Sequence, residues 1–324
     1  MIQFLVVVMI SKQLKLRQIL NSLQLVVIYF PESLNYLDRR WIYNLDKLNT
    51  ITVSPENKYF ISQDEKILIG KSCGYKGDFN IIQFASRQID RVTIPKNIRI
   101  VGFSSFFCCK NLETVDFSQN SILIKISDRS FRDCKSLKSV KLPSSVQIIG
   151  FECFMGCSSL SSITFGENSQ LATIGSNAFF GCAFTSFEIQ ENVALLDADV
   201  FSFCKKLSKI IFPQKSQMTK LPGNAFLNEN FSSIIIPKYI NKIGFCGLGQ
   251  CNNLLTVEFL GDEMNLGCNF FRDSEKLIIV SFPNAEKVNF GATPFINGSR
   301  NASIFIKAKA KLEIETRKKR PYYY

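Results

Sequence analysis

The residues able to do chemistry in this chain are cysteines, because it holds eleven of them and no histidine. A thiol can cross-link, ligate a metal, attack as a thiolate, or pack as a small apolar side chain. Spacing separates these uses. Structural zinc sites want paired C-x-x-C units or cysteine with histidine, and the chain has neither. A disulfide framework belongs to short chains with an even count, whereas eleven cysteines are spread here over 324 residues. Without histidine the commonest general base and triad member is missing, and no other nucleophile has an activating partner at a readable spacing. No enzyme is expected, with no catalytic, metal or cofactor site. Ile69-Gly70-Lys71-Ser72 has the look of a phosphate-binding loop's end, but the glycine required five residues before Gly70 is Glu65, so a hairpin turn is expected there.

Six cysteines, Cys109, Cys134, Cys157, Cys182, Cys204 and Cys251, occupy one position of a repeat, while Cys73, Cys108, Cys153, Cys246 and Cys268 scatter. A residue that recurs once per repeat stacks on itself, so a ladder of buried, reduced thiols is expected. The repeat runs from about Val101 to Phe282. It reads aromatic or Leu, two residues, usually cysteine, two residues, Leu or Phe, two residues, β-branched or Phe, one residue, large apolar. Its leading positions are Phe106, Phe131, Phe154, Phe179, Phe201, Phe226, Leu248 and Phe271, in steps of 25, 23, 25, 22, 25, 22 and 23 residues. That period lies in the leucine-rich-repeat window and below those of ankyrin, tetratricopeptide or HEAT arrays.

One copy cannot stand alone. Its five large side chains contribute roughly 8–15 kcal/mol gross, while ordering some two dozen residues costs about 1–2 kcal/mol each. The copies must therefore stack as a solenoid stabilised by nearest-neighbour interfaces. Leu-x-x-Ile-x-Phe, β-branched, aromatic and alternating, is the expected strand. Pro95, Pro143, Pro213, Pro237 and Pro283 follow it and cannot continue a ladder. An apolar pair such as Ile98 and Val101, or Val146 and Ile149, leads to a turn residue such as Gly102, Gly150, Gly175 or Gly244. Three connections, Phe117 to Ile126, Phe165 to Ile174 and Phe212 to Leu221, run nine residues where the intervening ones run seven. The long ones carry Ser121, Ser169 and Ser216. Long and short coils alternate, giving a paired unit of about 47 residues.

The pattern I-G-x-x-x-F-x-x-C-x-x-L-x-x-I-x-F/L-P-x-x-V-x-x-I-G, shown by Val101 to Phe117 and Leu137 to Gly150, resembles the BspA-like leucine-rich-repeat surface antigens. Leu48 to Asn57 and the hairpin-like insert to about Lys71 are similar to that family as well. The resemblance covers residues 45–306. It implies an α/β leucine-rich-repeat solenoid, curved and right-handed, with a parallel sheet on the concave face, on proteins that bind other proteins at cell surfaces. The chain departs from ordinary leucine-rich repeats by placing Cys before the strand without an Asn ladder after it. Two copies lose a residue there, at Cys182-Ala183-Phe184 and Glu229-Asn230-Phe231.

Three segments are expected: a degenerate cap or non-repeat stretch at 1–44, the solenoid at 45–306, and a basic tail at 307–324. The tail holds much of the excess behind a net charge of +12, including Arg317 to Arg320. Such runs are ordinary in solvated tails. Nucleic-acid binding wants a basic stripe with interleaved aromatics, and the strand positions are mixed in sign. Ile2 to Ile10 precedes rather than follows its basic residues, which is the wrong order for a signal peptide, and no run reaches a spanning length of about 18 apolar residues. The family resemblance implies a surface or secreted protein; the many unpaired thiols suit a cytoplasmic scaffold.

Candidate binding residues follow from strand geometry. The penultimate strand residue points opposite to its apolar neighbours, which gives Asp116, Lys141, Thr164, Glu188, Ile211, Ile235, Glu258 and Ser281. Ile211 and Ile235 are expected to form an exposed apolar patch between Glu188 and Glu258, suited to a protein partner.

Overall fold

The computed structural model describes residues 7–9, 26–37, 45, 47–71, 77–298, 302–306 and 310–314. They fall into two compact units, 1–171 and 172–324. Each is a parallel β-solenoid built from strands of two to seven residues.

In the first unit the Leu-x-x-Ile-x-Phe segments form β7 (Arg91–Ile94), β9 (Thr114–Phe117), β11 (Ser139–Leu142) and β13 (Ser162–Phe165), one parallel sheet. Its register joins equivalent residues of successive coils, Val92 to Val115, Val115 to Val140 and Val140 to Ile163. The apolar pairs after the prolines form a second parallel sheet from β8 (Ile100–Val101), β10 (Lys125–Ile126) and β12 (Ile148–Ile149). That sheet is led by β6 (Phe79–Ala85) and the antiparallel strands β4 (Phe60–Gln63) and β5 (Ile67–Lys71). Asp64 and Glu65 have φ of 50° and 51° between β4 and β5, as a tight hairpin requires. Gly70 and Lys71 lie within β5, so they are strand residues; Ser72 lies outside the described residues. β1 (Val7–Met9), β2 (Val27–Phe30) and β3 (Thr50–Val53) add a further parallel sheet. β1 and β2 thus pair as coil strands do, inside the stretch expected to be a cap.

The second unit repeats the plan. Its strand face holds β15 (Ser186–Glu188) with β17 (Lys209–Ile211), then β19 (Ser233–Ile236), β21 (Thr256–Phe259), β23 (Ile279–Phe282) and β25 (Ser303–Ile306). The ladder is interrupted between β17 and β19, where Glu229-Asn230-Phe231 lacks one residue before the strand. Along the second edge, β14 (Thr173–Ile174) pairs with β16 (Leu195–Leu196). Further on, β18 (Lys220–Leu221), β20 (Lys242–Ile243), β22 (Glu263–Leu266), β24 (Lys287–Phe290) and β26 (Lys311–Ile314) form one parallel sheet. β26 lies in the expected basic tail, yet pairs with β24 from Lys287–Lys311 to Phe290–Ile314.

The α/β expectation needs correction on one point: no helix occurs among the described residues. The segment around each leading Phe carries two positive-φ residues four apart, such as Arg129 with Asp133, Glu152 with Gly156, Asn177 with Gly181 and Asn224 with Asn228. Left-handed residues at that spacing prevent a right-handed helix from propagating. Alternate amides reach instead to the next coil, as Phe106 N–H to Ser130 O at 2.8 Å and Cys108 N–H to Arg132 O at 2.9 Å. The amides between them close local turns, as Phe107 N–H to Ser104 O at 3.1 Å. The segment is a staircase of turns that satisfies its backbone between coils.

Inside each unit the leading aromatics stack. Phe106, Phe131 and Phe154 follow one another at centroid distances of 4.9 and 5.2 Å, and Phe179, Phe201 and Phe226 at 5.8 and 6.1 Å, all nearly parallel. All eight leading residues are at most 1% exposed. At the turn, a Cβ on Gly244 would sit 2.4 Å from Gly223 N, and one on Gly267 would sit 2.5 Å from the Gly244 carbonyl carbon, so close coil approach requires glycine there. In the long connections Ser121, Ser169 and Ser216 accept the amides of Leu123, Leu171 and Met218 at 3.4, 3.3 and 3.1 Å. A serine side chain thereby supplies the acceptor that the longer loop lacks.

Candidate protein-binding face

The cysteine position proves to be a hydrogen-bonded rung. Cys134 Sγ donates to Phe106 O at 3.1 Å, Cys157 to Phe131 O at 3.0 Å, Cys204 to Phe179 O at 3.1 Å and Cys251 to Phe226 O at 3.2 Å. Each of these four thiols therefore gives the carbonyl of the leading aromatic one coil earlier a hydrogen bond from the next coil, beside the local amide bond that Phe106, Phe131 and Phe179 O already accept, a task alanine could not perform. The last repeat uses Ser274, whose Oγ donates to Leu248 O at 2.8 Å and accepts from Cys251 N–H at 3.2 Å. No disulfide joins the ten described cysteines; Cys73 lies outside the described residues.

Burial sets the reactivity of these thiols. It pushes Cys109 and Cys251 up to about 12 and also raises Cys134, Cys153 and Cys204. A thiol held protonated at neutral pH is neither a nucleophile nor a ready metal ligand. Among the described residues no group of three or more His, Cys, Asp or Glu could hold a metal ion. The native protein is expected to show no stoichiometric zinc by elemental analysis. Cys157 and Cys182 are expected to react with a thiol reagent only after unfolding; rapid labelling of either in the native state would contradict a closed ladder.

The strand face carries the remaining candidates. Asp116, Lys141, Thr164, Glu188, Ile211 and Ile235 are exposed, while Glu258 and Ser281 are half-buried. In the first unit Lys141 pairs in register with Thr164, and Asp116 with Thr93. In the second unit Glu188 pairs with Ile211, Ile235 with Glu258, and Glu258 with Ser281. Ile211 and Ile235 are 39% and 56% exposed, on either side of the ladder interruption. The same row continues to Phe305, 56% exposed and in register with Ser281. Leu255 and Ile278, just before β21 and β23, are 40% and 54% exposed. Sequence reasoning missed Phe305 because no Phe-x-x-Cys motif announces its coil, although Ser-Ile-Phe-Ile repeats the strand pattern.

Two buried ionisable residues were also missed, Arg87 and Glu229. Arg87 donates to Ser105 O at 3.0 Å and lies 4.2 Å from the Phe84 ring centroid, next to the Cys109 thiol. Glu229 stands in the rung position that cysteine holds in the coils on both sides. It was visible in the sequence as the one acidic residue in the column.

These features match one known family. A model of the BspA type leucine-rich repeat region, in six copies, matches residues 80–171, 124–244 and 219–315, and the chain belongs to that family. A comparison with curated proteins finds no match. Among solved structures, a leucine-rich repeat protein from Bacteroides ovatus is 18% identical over 79% of this chain and 78% of its own, with a TM-score of 0.45. A leucine rich cell surface protein from Faecalibacterium prausnitzii is 16% identical over 88% and 79%, at 0.43. The pneumococcal vaccine antigen PcpA is 18% identical over 87% and 79%, at 0.48. Among the described residues no helix is long and apolar enough to cross a membrane.

Proposed function

We propose that this chain is a non-catalytic scaffold that binds other proteins through the outward row of its strand face, with an adhesion or antigen role at a cell surface. The observation that carries the reading is the pair Ile211 and Ile235, exposed apolar residues among polar neighbours at a position where every other coil up to Ser281 presents a polar one. Isoleucine in water gains nothing for the fold, whereas covering it by a partner gains about 25 cal/mol per Å² of apolar area. Glu188 and Glu258 supply a polar rim. Membership of the BspA type family supports the scaffold role and fits the surface location.

A second reading, an intracellular interaction scaffold, is favoured by the ten cysteines without a disulfide, a state usual in reducing compartments. Labelling intact source cells with a membrane-impermeant reagent, then detecting this chain, separates the two. Surface location predicts labelling before lysis; labelling only after lysis overturns it in favour of the intracellular scaffold.

A further inference from the structure

Glu229 breaks the rule of its column. It is 3% exposed and its Oε1 accepts the Cys204 amide at 3.1 Å, the bond that Ser274 makes to the Cys251 amide. Ser274 also donates, returning a hydrogen bond to the carbonyl of the coil before it. Among the described residues the Glu229 Oε2 has no hydrogen-bond partner, and it is sealed from solvent. The titratable groups beside it are the thiols of Cys204 and Cys251 on the neighbouring coils, and neither can offset a negative charge. Among the described residues no Lys or Arg forms a salt bridge with it.

An ionised carboxylate here would be a buried, unpaired charge with one oxygen lacking any donor, the most expensive form of buried polar group. The neutral acid still accepts the Cys204 amide and, like the serine and cysteine rungs, carries a proton instead of a charge. We infer that Glu229 is a proton-operated latch: the ladder closes over the neutral carboxyl, and loss of its proton loosens the coil around Asn224–Ser232. β19, which carries Ile235, begins directly after that coil. The latch therefore sits beside the ladder interruption between β17 and β19.

The direction of the pH effect follows. Burial raises the carboxyl from 4.5 to about 9. The folded chain keeps a proton that the unfolded chain has released, so unfolding becomes easier as pH rises from about 4.5 towards 9. The chain has no histidine, which leaves the range between pH 5.5 and 8 free of the side chain that ordinarily titrates there.

The test is the unfolding equilibrium of the full chain, wild type against Glu229→Gln, between pH 5.5 and 8. The unfolding constant of the wild type is expected to rise about tenfold per pH unit relative to the variant, the slope of one released proton. Hydrogen exchange of the segment 200–232, corrected for intrinsic rates, is expected to accelerate with pH in the wild type alone. Glu229→Ser, which copies the Ser274 rung, serves the same comparison should the glutamine variant fold poorly. Parallel pH profiles for wild type and a folded variant would overturn the latch.

Discussion

Phe154→Ala is expected to lower the unfolding free energy by about 3–5 kcal/mol, the usual cost of emptying a fully buried aromatic site. Phe154 is 0% exposed and its ring lies 5.2 Å from that of Phe131, within 5° of parallel. Phe131 in turn lies 4.9 Å from Phe106. The loss has two parts, the transfer of the ring out of water and the cavity left between coils that cannot close on each other. The coil spacing is held by backbone bonds, Asp133 N–H to Met155 O at 2.8 Å among them, so collapse around the void is limited. A solenoid is a sum of neighbour terms, so emptying this rung weakens the interface with the Phe131 coil directly. Urea denaturation of the purified variant checks this. An unchanged midpoint would mean that the aromatic column does not hold the coils together.

Much of this was legible in the sequence because repetition averages out local ambiguity. Phe106, Phe131 and Phe154 recur in register, and recurrence of one side chain at one coil position leaves stacking as the only arrangement that buries each copy. The prolines after the strands, the turn glycines and the serines of the long connections were readable for the same reason, each marking a fixed point of the coil. The Phe-x-x-Cys segment was harder. The α/β label for the solenoid placed no helix in particular, and left-handed residues such as Arg129 and Glu152, types that do not announce that conformation, turn the segment into a staircase. The hydrogen bond from each thiol to the preceding carbonyl was equally hidden, since packing alone already explained a small apolar residue.

The exposure of the candidate face was legible in part. Alternation placed Ile211 and Ile235 on the outer side of their strands, where both are exposed. It did not anticipate the half-burial of Glu258 and Ser281, which lie in register between Ile235 and Ser281 and between Glu258 and Phe305. Nor does alternation give the interruption between β17 and β19: the missing residue at Glu229-Asn230-Phe231 is visible in the sequence, while its effect on the ladder shows only in the fold.

The strand-face account is tested most directly by the affinity of the double variant Ile211→Ser/Ile235→Ser for a protein partner crosslinked to this chain and then purified. Both residues lie on the solvent side of their strands, so the exchange removes apolar contact area without touching the core. The dissociation constant is expected to rise at least about tenfold, equivalent to about 1.4 kcal/mol, with an unchanged denaturation midpoint. Unchanged affinity in a fully folded variant would contradict the account and move the binding site to the turns or to the second edge.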